Sequence, residues 1–155
     1  MATNKKKQTQ PKAIVNRRAS YDYALDETIS TGIVLNGREV RAARDGRVQL
    51  KGAFVTLRND ELWLNNASFS LHLNSKGVND TTVDTTARKL LAHRKQIDEL
   101  AAKKQAGMSI VPLRLITAGR HIKLVIALGK GKKNYDKRQT IKRRDQERDF
   151  ARRLK

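Results

Sequence analysis

Acid–base catalysis and metal binding in this chain would draw first on three histidines and fifteen carboxylates, and there is no cysteine. The missing cysteines exclude thiolate chemistry, disulfides and Cys-based zinc sites together. His72, His93 and His121 stand at least 21 residues apart in the sequence. A metal site needs convergent ligands, such as two histidines on one helix face. His93 is followed by Arg94 and Lys95, which would repel a cation. No paired carboxylates and no G-x-S-x-G motif occur. The expectation is no catalytic residue, no metal and no cofactor, hence no enzyme.

Gly129-Lys130-Gly131-Lys132-Lys133 is the segment with the plainest chemistry. It is not an NTPase phosphate loop, since Lys133 sits where that motif needs a hydroxyl. It offers three ammonium groups to phosphates, and its glycines let backbone approach a partner closely. Tyr135 follows in a basic stretch without apolar neighbours, which suits stacking on a base. Phe54, Trp63 and Phe69 lie in alternating segments and are expected in the core.

The net charge of +19 disfavours compaction unless a polyanion neutralises it. Residues 1–18 carry six basic and no acidic side chains, and residues 129–155 carry twelve basic and four acidic. The intervening stretch holds sixteen basic and eleven acidic, so the excess lies mostly at the two ends. Basic arms on a globular body are a nucleic-acid arrangement. Residues Gln139 to Lys155 are rich in helix formers, yet Phe150 lies about 180° around a helix from Ile141. Such a helix has no face to dock on a core or on lipid. It is expected to be disordered when free and helical in an anionic groove. No apolar run approaches the ~20 residues of a membrane span, and no secretory signal is expected.

The elements that must carry these residues read as mainly β. Residues 1–13 are lysine-rich and expected to be disordered. One long strand is expected from Tyr21 to Leu35, with a bulge at Gly32. A short helix is expected between Gly37 and Gly46. Alternating segments follow around Val48–Leu50, Ala53–Arg58, Glu61–Leu64 and Phe69–Leu73, with a turn at Asn59-Asp60 and a loop over Asn74–Asp80. Residues 85–106 are expected to form the main helix, with Ala87, Leu90, Leu91, Ile97 and Ala101 as its stripe. Asp84 or Thr85 would cap it and Gly107 would end it. Strands Ile110–Ile116 and Ile122–Leu128 follow, joined near Ala118-Gly119, and the glycine–lysine pentad is expected to break the second. Short antiparallel strands with inserted helices suggest a small oligonucleotide/oligosaccharide-binding (OB-type) antiparallel β-barrel over 14–128, followed by the basic tail 129–155.

Several pieces then stand in a specific order and spacing. They are Asn16-Arg17-Arg18-Ala19, Thr31-Gly32-Ile33-Val34-Leu35 with Gly37-x-Glu39-Val40, and Arg88-Lys89-Leu90-Leu91 with His93-Arg94-Lys95. Val111-Pro112-Leu113 comes next, then the pentad 129–133 and Asp136-Lys137-Arg138. Over nearly all of residues 14–155 the chain resembles the family of SsrA-binding proteins, SmpB, the partners of transfer-messenger RNA (tmRNA).

That resemblance implies an OB-type barrel that binds the tRNA-like domain of tmRNA. It implies delivery of alanyl-tmRNA, with elongation factor Tu and GTP, to stalled 70S ribosomes. The tail would enter the empty messenger channel near the 16S rRNA decoding centre. By position it implies RNA-binding roles for Asn16, Leu91 and Lys123, with Arg17, Arg18 and Arg44 nearby. It assigns Lys130, Lys132 and Lys133 to the root of the tail, and Tyr135, Asp136, Lys137 and Arg138 to the decoding centre. Ser30, Thr86, Met108 and Ile116 depart from the family's common residues. A cytoplasmic monomer that does not bind membranes is expected. A structural ribosomal protein, an RNA-modifying enzyme and a general RNA chaperone are the competing readings.

Overall fold

The computed structural model describes residues 13–72, 81–117 and 119–154. Most of the expected N-terminal arm and all of the expected Asn74–Asp80 loop lie outside these residues. Among the described residues ten strands and four helices follow one another: β1 (Ala13–Val15), α1 (Ala19–Asp22), β2 (Tyr23–Ile33), α2 (Gly37–Arg44), β3 (Val48–Gln49), β4 (Phe54–Arg58), β5 (Glu61–Asn65), β6 (Ser68–His72), β7 (Thr81–Asp84), β8 (Arg88–Leu91), α3 (Arg94–Gln105), β9 (Ser109–Ile116), β10 (Lys123–Gly131) and α4 (Asn134–Arg153).

The larger sheet runs β1-β9-β10-β2-β8-β5-β4, and β4 pairs again with β9 through Val55 and Ile110. Strands β9, β10, β2, β8, β5 and β4 therefore form a ring, with β1 added along the rest of the β9 edge. A smaller sheet, β3-β6-β7, sits beside it. The alternation seen in the sequence fills the inside: Leu62, Leu64, Phe69, Leu90, Leu115, Leu124, Ile126 and Leu128 are buried in one cluster. Helix α2 begins with a capping box. The Asn36 side chain accepts from the Glu39 N–H at 3.0 Å, and Glu39 Oε2 accepts from the Asn36 N–H at 2.8 Å.

Five expectations change. Residues 88–91 are strand β8, not part of the helix expected over 85–106, so α3 starts at Arg94 after His93 and not near Asp84 or Thr85. Leu90 pairs with Leu62 and faces the core, while Leu91 is exposed. An apolar run this short fits either period, and pairing with β5 decides it. Residues 19–22 form α1, which shortens the first long strand. Gly32 is not a bulge: it keeps register with both Lys123 and Leu91. The irregularity lies lower in β2, where Leu25 to Thr28 spans three steps against two from Gly129 to Ala127. Of the three aromatics expected in the core only Phe69 is there: Phe54 is 47 % exposed, and Trp63 is half-buried on the face opposite Leu62 and Leu64.

The last change concerns β10, which does not break at Leu128. It continues through Gly131, pairing Gly129 with Leu25 and Gly131 with Tyr23. Gly129 lets two strands of one chain approach, because a Cβ there would stand 3.0 Å from Tyr23 Cβ. Helix α4 then leaves the body with none of its residues buried. No helix among the described residues is long and apolar enough to cross a membrane.

Candidate nucleic-acid interface

Three neighbouring strands build the first patch. Lys123 on β10 pairs with Gly32 on β2, and Gly32 pairs with Leu91 on β8. Residues in register share a face of the sheet. Both flanking side chains point outward, Leu91 being 52 % exposed and Lys123 also exposed. Gly32 lets the two strands sit close, since a Cβ there would lie 3.2 Å from Leu91 Cβ. The row opens onto a cleft of about 400 Å³ lined by Ile33, Leu35, Val40, Arg44, Arg120 and His121. The cleft therefore has an apolar floor and cationic walls. Such a site offers charge to phosphates and apolar surface to bases or sugars.

Asn16, Arg17 and Arg18 form a second group at the turn between β1 and α1. Asn16 is buried: its side-chain amide donates to the Pro112 carbonyl at 2.9 Å, and its backbone N–H donates to the Leu113 carbonyl at 2.7 Å. These bonds fasten the turn to β9 where β9 itself is irregular, next to a proline that cannot donate. Arg17 and Arg18 are thereby held outward. Arg144 of α4 lines the clefts beside Arg17, adding a third cation.

The tail residues take a third position. Lys130 lies exposed on the end of β10, and Lys132 and Lys133 join it to α4. Tyr135, in the first turn, is 59 % exposed. Asp136 Oδ2 accepts from the Lys133 N–H at 3.3 Å, which satisfies one free donor at the start of the helix. Lys137 faces the body and Arg138 faces away.

The family model described as SmpB protein matches residues 13–155. The chain belongs to the SmpB family. It is 42 % identical over 150 residues to the SsrA-binding protein of Halalkalibacterium halodurans, covering 96 % of each chain. It is 43 % identical over 138 residues to the SsrA-binding protein of Bacillus subtilis, covering 88 % of this chain and 87 % of that one. A solved structure described as "tmRNA-SmpB: a journey to the center of the bacterial ribosome" superposes with a TM-score of 0.62 at 34 % identity. That match covers 79 % of this chain and 85 % of the other.

Within this SmpB-family chain, Arg44, Leu91 and Lys123 come together in one cleft, while Asn16, Arg17 and Arg18 form a separate group. Arg120, His121 and Arg144 were missed in the sequence. Arg120 and Arg144 carry only the signal of positive charge, which they share with many other residues, and His121 is one of three isolated histidines. Two of the four departures lie at structural contacts, Thr86 through its backbone and Met108 through its side chain. The Thr86 carbonyl accepts from Arg88 Nη1 at 2.6 Å, and Met108 packs against the core. Ser30 lies exposed opposite Val125, and Ile116 pairs with both Ala13 and Lys123.

Proposed function

We propose that this protein is an RNA-binding factor of ribosome rescue, which binds the tRNA-like domain of tmRNA and brings it to stalled ribosomes. The row Lys123–Gly32–Leu91, walled by Arg44 and Arg120, carries the reading. It joins cationic and apolar groups on the outer face of a ring of strands, as an OB-type barrel of about residues 14–128 would present them to RNA. Leu91 and the aliphatic floor take the sugar or base side of the RNA, and Arg44 and Lys123 take phosphates. Arg17 and Arg18 extend the same contact, with Asn16 holding their turn in place. No residue acts as a catalyst, no cofactor is needed, and the protein works in the cytoplasm as a monomer.

The tail, residues 129–155, plays a separate part. An unburied helix with no apolar face gains most of its order from an anionic groove. The empty messenger channel of the ribosome is such a groove. Lys130, Lys132 and Lys133 neutralise its entrance, Tyr135 stacks near the decoding centre, and Asp136, Lys137 and Arg138 complete the fit. Elongation factor Tu with GTP acts through the alanyl-tmRNA and not through this chain.

The test separates the two parts. A chain ending at Asn134 is expected to keep its affinity for the tRNA-like domain while peptide tagging on stalled ribosomes is lost. Full tagging by the shortened chain would refute the tail's part. Equal affinity of the intact chain for a random hairpin of the same length would refute the first.

A further inference from the structure

The root of α4 touches the body through α1, and one residue organises the contact. Asp22 meets Arg18 through one carboxylate oxygen (Oδ2–Nε 3.1 Å) and Lys137 through the other (Oδ1–Nζ 3.2 Å). Its backbone carbonyl accepts from the Lys132 N–H at 2.9 Å. Lys132 Nζ in turn donates to the Ser20 carbonyl at 3.0 Å. The Tyr21 ring completes the clasp, with the Arg18 and Lys137 cations 5.7 and 5.9 Å from its centre.

Without this clasp the joint would be loose. Only Lys132 and Lys133 separate the end of β10 from the start of α4. A helix of 20 residues is about 30 Å long, so a swing of about 20° at the root moves its far end by roughly 10 Å. No buried residue of α4 limits that swing. Exposed ion pairs are individually weak, so the clasp biases the direction of the helix and still releases it. Directing a segment before it docks reduces the ordering cost of docking.

We propose that Asp22 is a positioning residue for the tail, bridging Arg18 on the candidate RNA surface to Lys137 in the tail motif and so setting the direction in which α4 leaves the body. The proposal rests on the ribosome-rescue reading above for its functional consequence, though the geometry it predicts is independent of that reading. Burial alone would raise the Asp22 pKa, but hydrogen bonds from Lys137 and Arg18 outweigh it and hold the group below its ordinary value, as a bridging carboxylate requires. Asp22 is a half-buried residue on a four-residue helix and lies outside the core cluster, so its replacement leaves that cluster untouched.

This chain has no native cysteine, so spin labels at Glu99→Cys in α3 and Arg148→Cys in α4 report the angle of the tail without background. Asp22→Asn and Asp22→Ala are expected to broaden that distance distribution at least about twofold, and Asp22→Glu to keep it narrow. Lys137→Gln, which leaves the body intact, is expected to broaden it equally. On stalled ribosomes, tagging by Asp22→Asn is expected to fall about three- to tenfold, with recovery in Asp22→Glu. Affinity of Asp22→Asn for the tRNA-like domain is not expected to fall, because a negative charge is lost. Unchanged distributions in Asp22→Asn and Lys137→Gln overturn the proposal. So does unchanged tagging, or a loss of tagging matched by a loss of RNA affinity. A native chain that neither binds tmRNA nor tags would overturn the rescue reading instead, and the distance measurement would still judge Asp22.

Discussion

Arg88 and Glu39, 49 residues apart in the chain, meet inside the protein as a buried ion pair. Arg88 Nε donates to Glu39 Oε1 at 2.9 Å, and Nη2 stands equally near but poorly aligned for a second hydrogen bond. The two side chains are 3 % and 7 % exposed. The guanidinium lies 3.9 Å from the centre of the Phe69 ring and donates to the Thr86 carbonyl. Glu39 uses its other oxygen to cap α2. One pair therefore joins α2, β6 and β8, and so locates the helix that carries Arg44 beside the strand that carries Leu91.

Breaking this pair from one side leaves a buried charge without its main partner, and for Arg88 only Asp84, 3.4 Å away, remains among the described residues. Arg88→Ala and Glu39→Ala are each expected to lower unfolding stability by about 3–5 kcal/mol, read from urea denaturation. Glu39→Ala also removes a helix cap, worth about 1 kcal/mol. A midpoint within experimental scatter of the native one would show that the ring holds α2 without the pair.

The close approach at Gly129 predicts a contrast between two glycines of the same pentad. Gly129→Ala drives a Cβ against Tyr23 and the Ala24 carbonyl, so a loss of about 1–3 kcal/mol and a lower Tm are expected. Gly131→Ala meets nothing within 4 Å, and its Tm should stay near that of the native chain. Equal effects at both positions would contradict the strand pairing described.

Asp136 stands in the first turn of α4 and accepts from the Lys133 N–H. A carboxylate here satisfies a free donor and complements the helix dipole. Asp136→Ala is expected to reduce tail helicity, with a cost of about 0.5–2 kcal/mol to the helix. Backbone chemical shifts of residues 134–153 would report it, while shifts in the ring stay unchanged.

Acid sensitivity follows from Asp84. The Thr86 backbone N–H lowers its pKa most, burial opposes, and the Thr86 side chain and the Arg88 charge lower it further. The folded pKa lies below the ordinary 3.8, so the unfolded chain takes up the proton first. The stabilisation is complete above that value and is lost as pH falls through the lowered one. Asp84→Asn should therefore cost stability near neutral pH and show a shallower loss between about pH 5 and 3. Parallel curves for the native and variant chains would remove Asp84 from the account.

The RNA surface makes a salt-dependent prediction. Lys123→Ala and Arg120→Ala are each expected to weaken binding to the tRNA-like domain and to reduce the log–log salt slope by about one. Leu91→Ala is expected to weaken binding with the slope unchanged, because no phosphate contact is lost. A changed slope in Leu91→Ala would mean that the cleft is read wrongly.

Composition and local pattern carried much of this protein. The division of charge between body and ends, the alternation in β4, β5, β6, β9 and β10, the short helix α2 and the tail without an apolar face were all present in the order of residues. These features depend on neighbours within a few positions, where side-chain period and charge act directly. The ring itself decided the rest. Leu90 and Leu91 fit a helix until β5 and β2 claim them, and Gly32 looks like a defect until Lys123 and Leu91 stand on either side of it. Arg88 meets Glu39, and Asp22 meets Lys137, only because closing the strands brings distant segments together. Register and ion pairing are relations between residues far apart in the chain, and the local order of residues does not contain them.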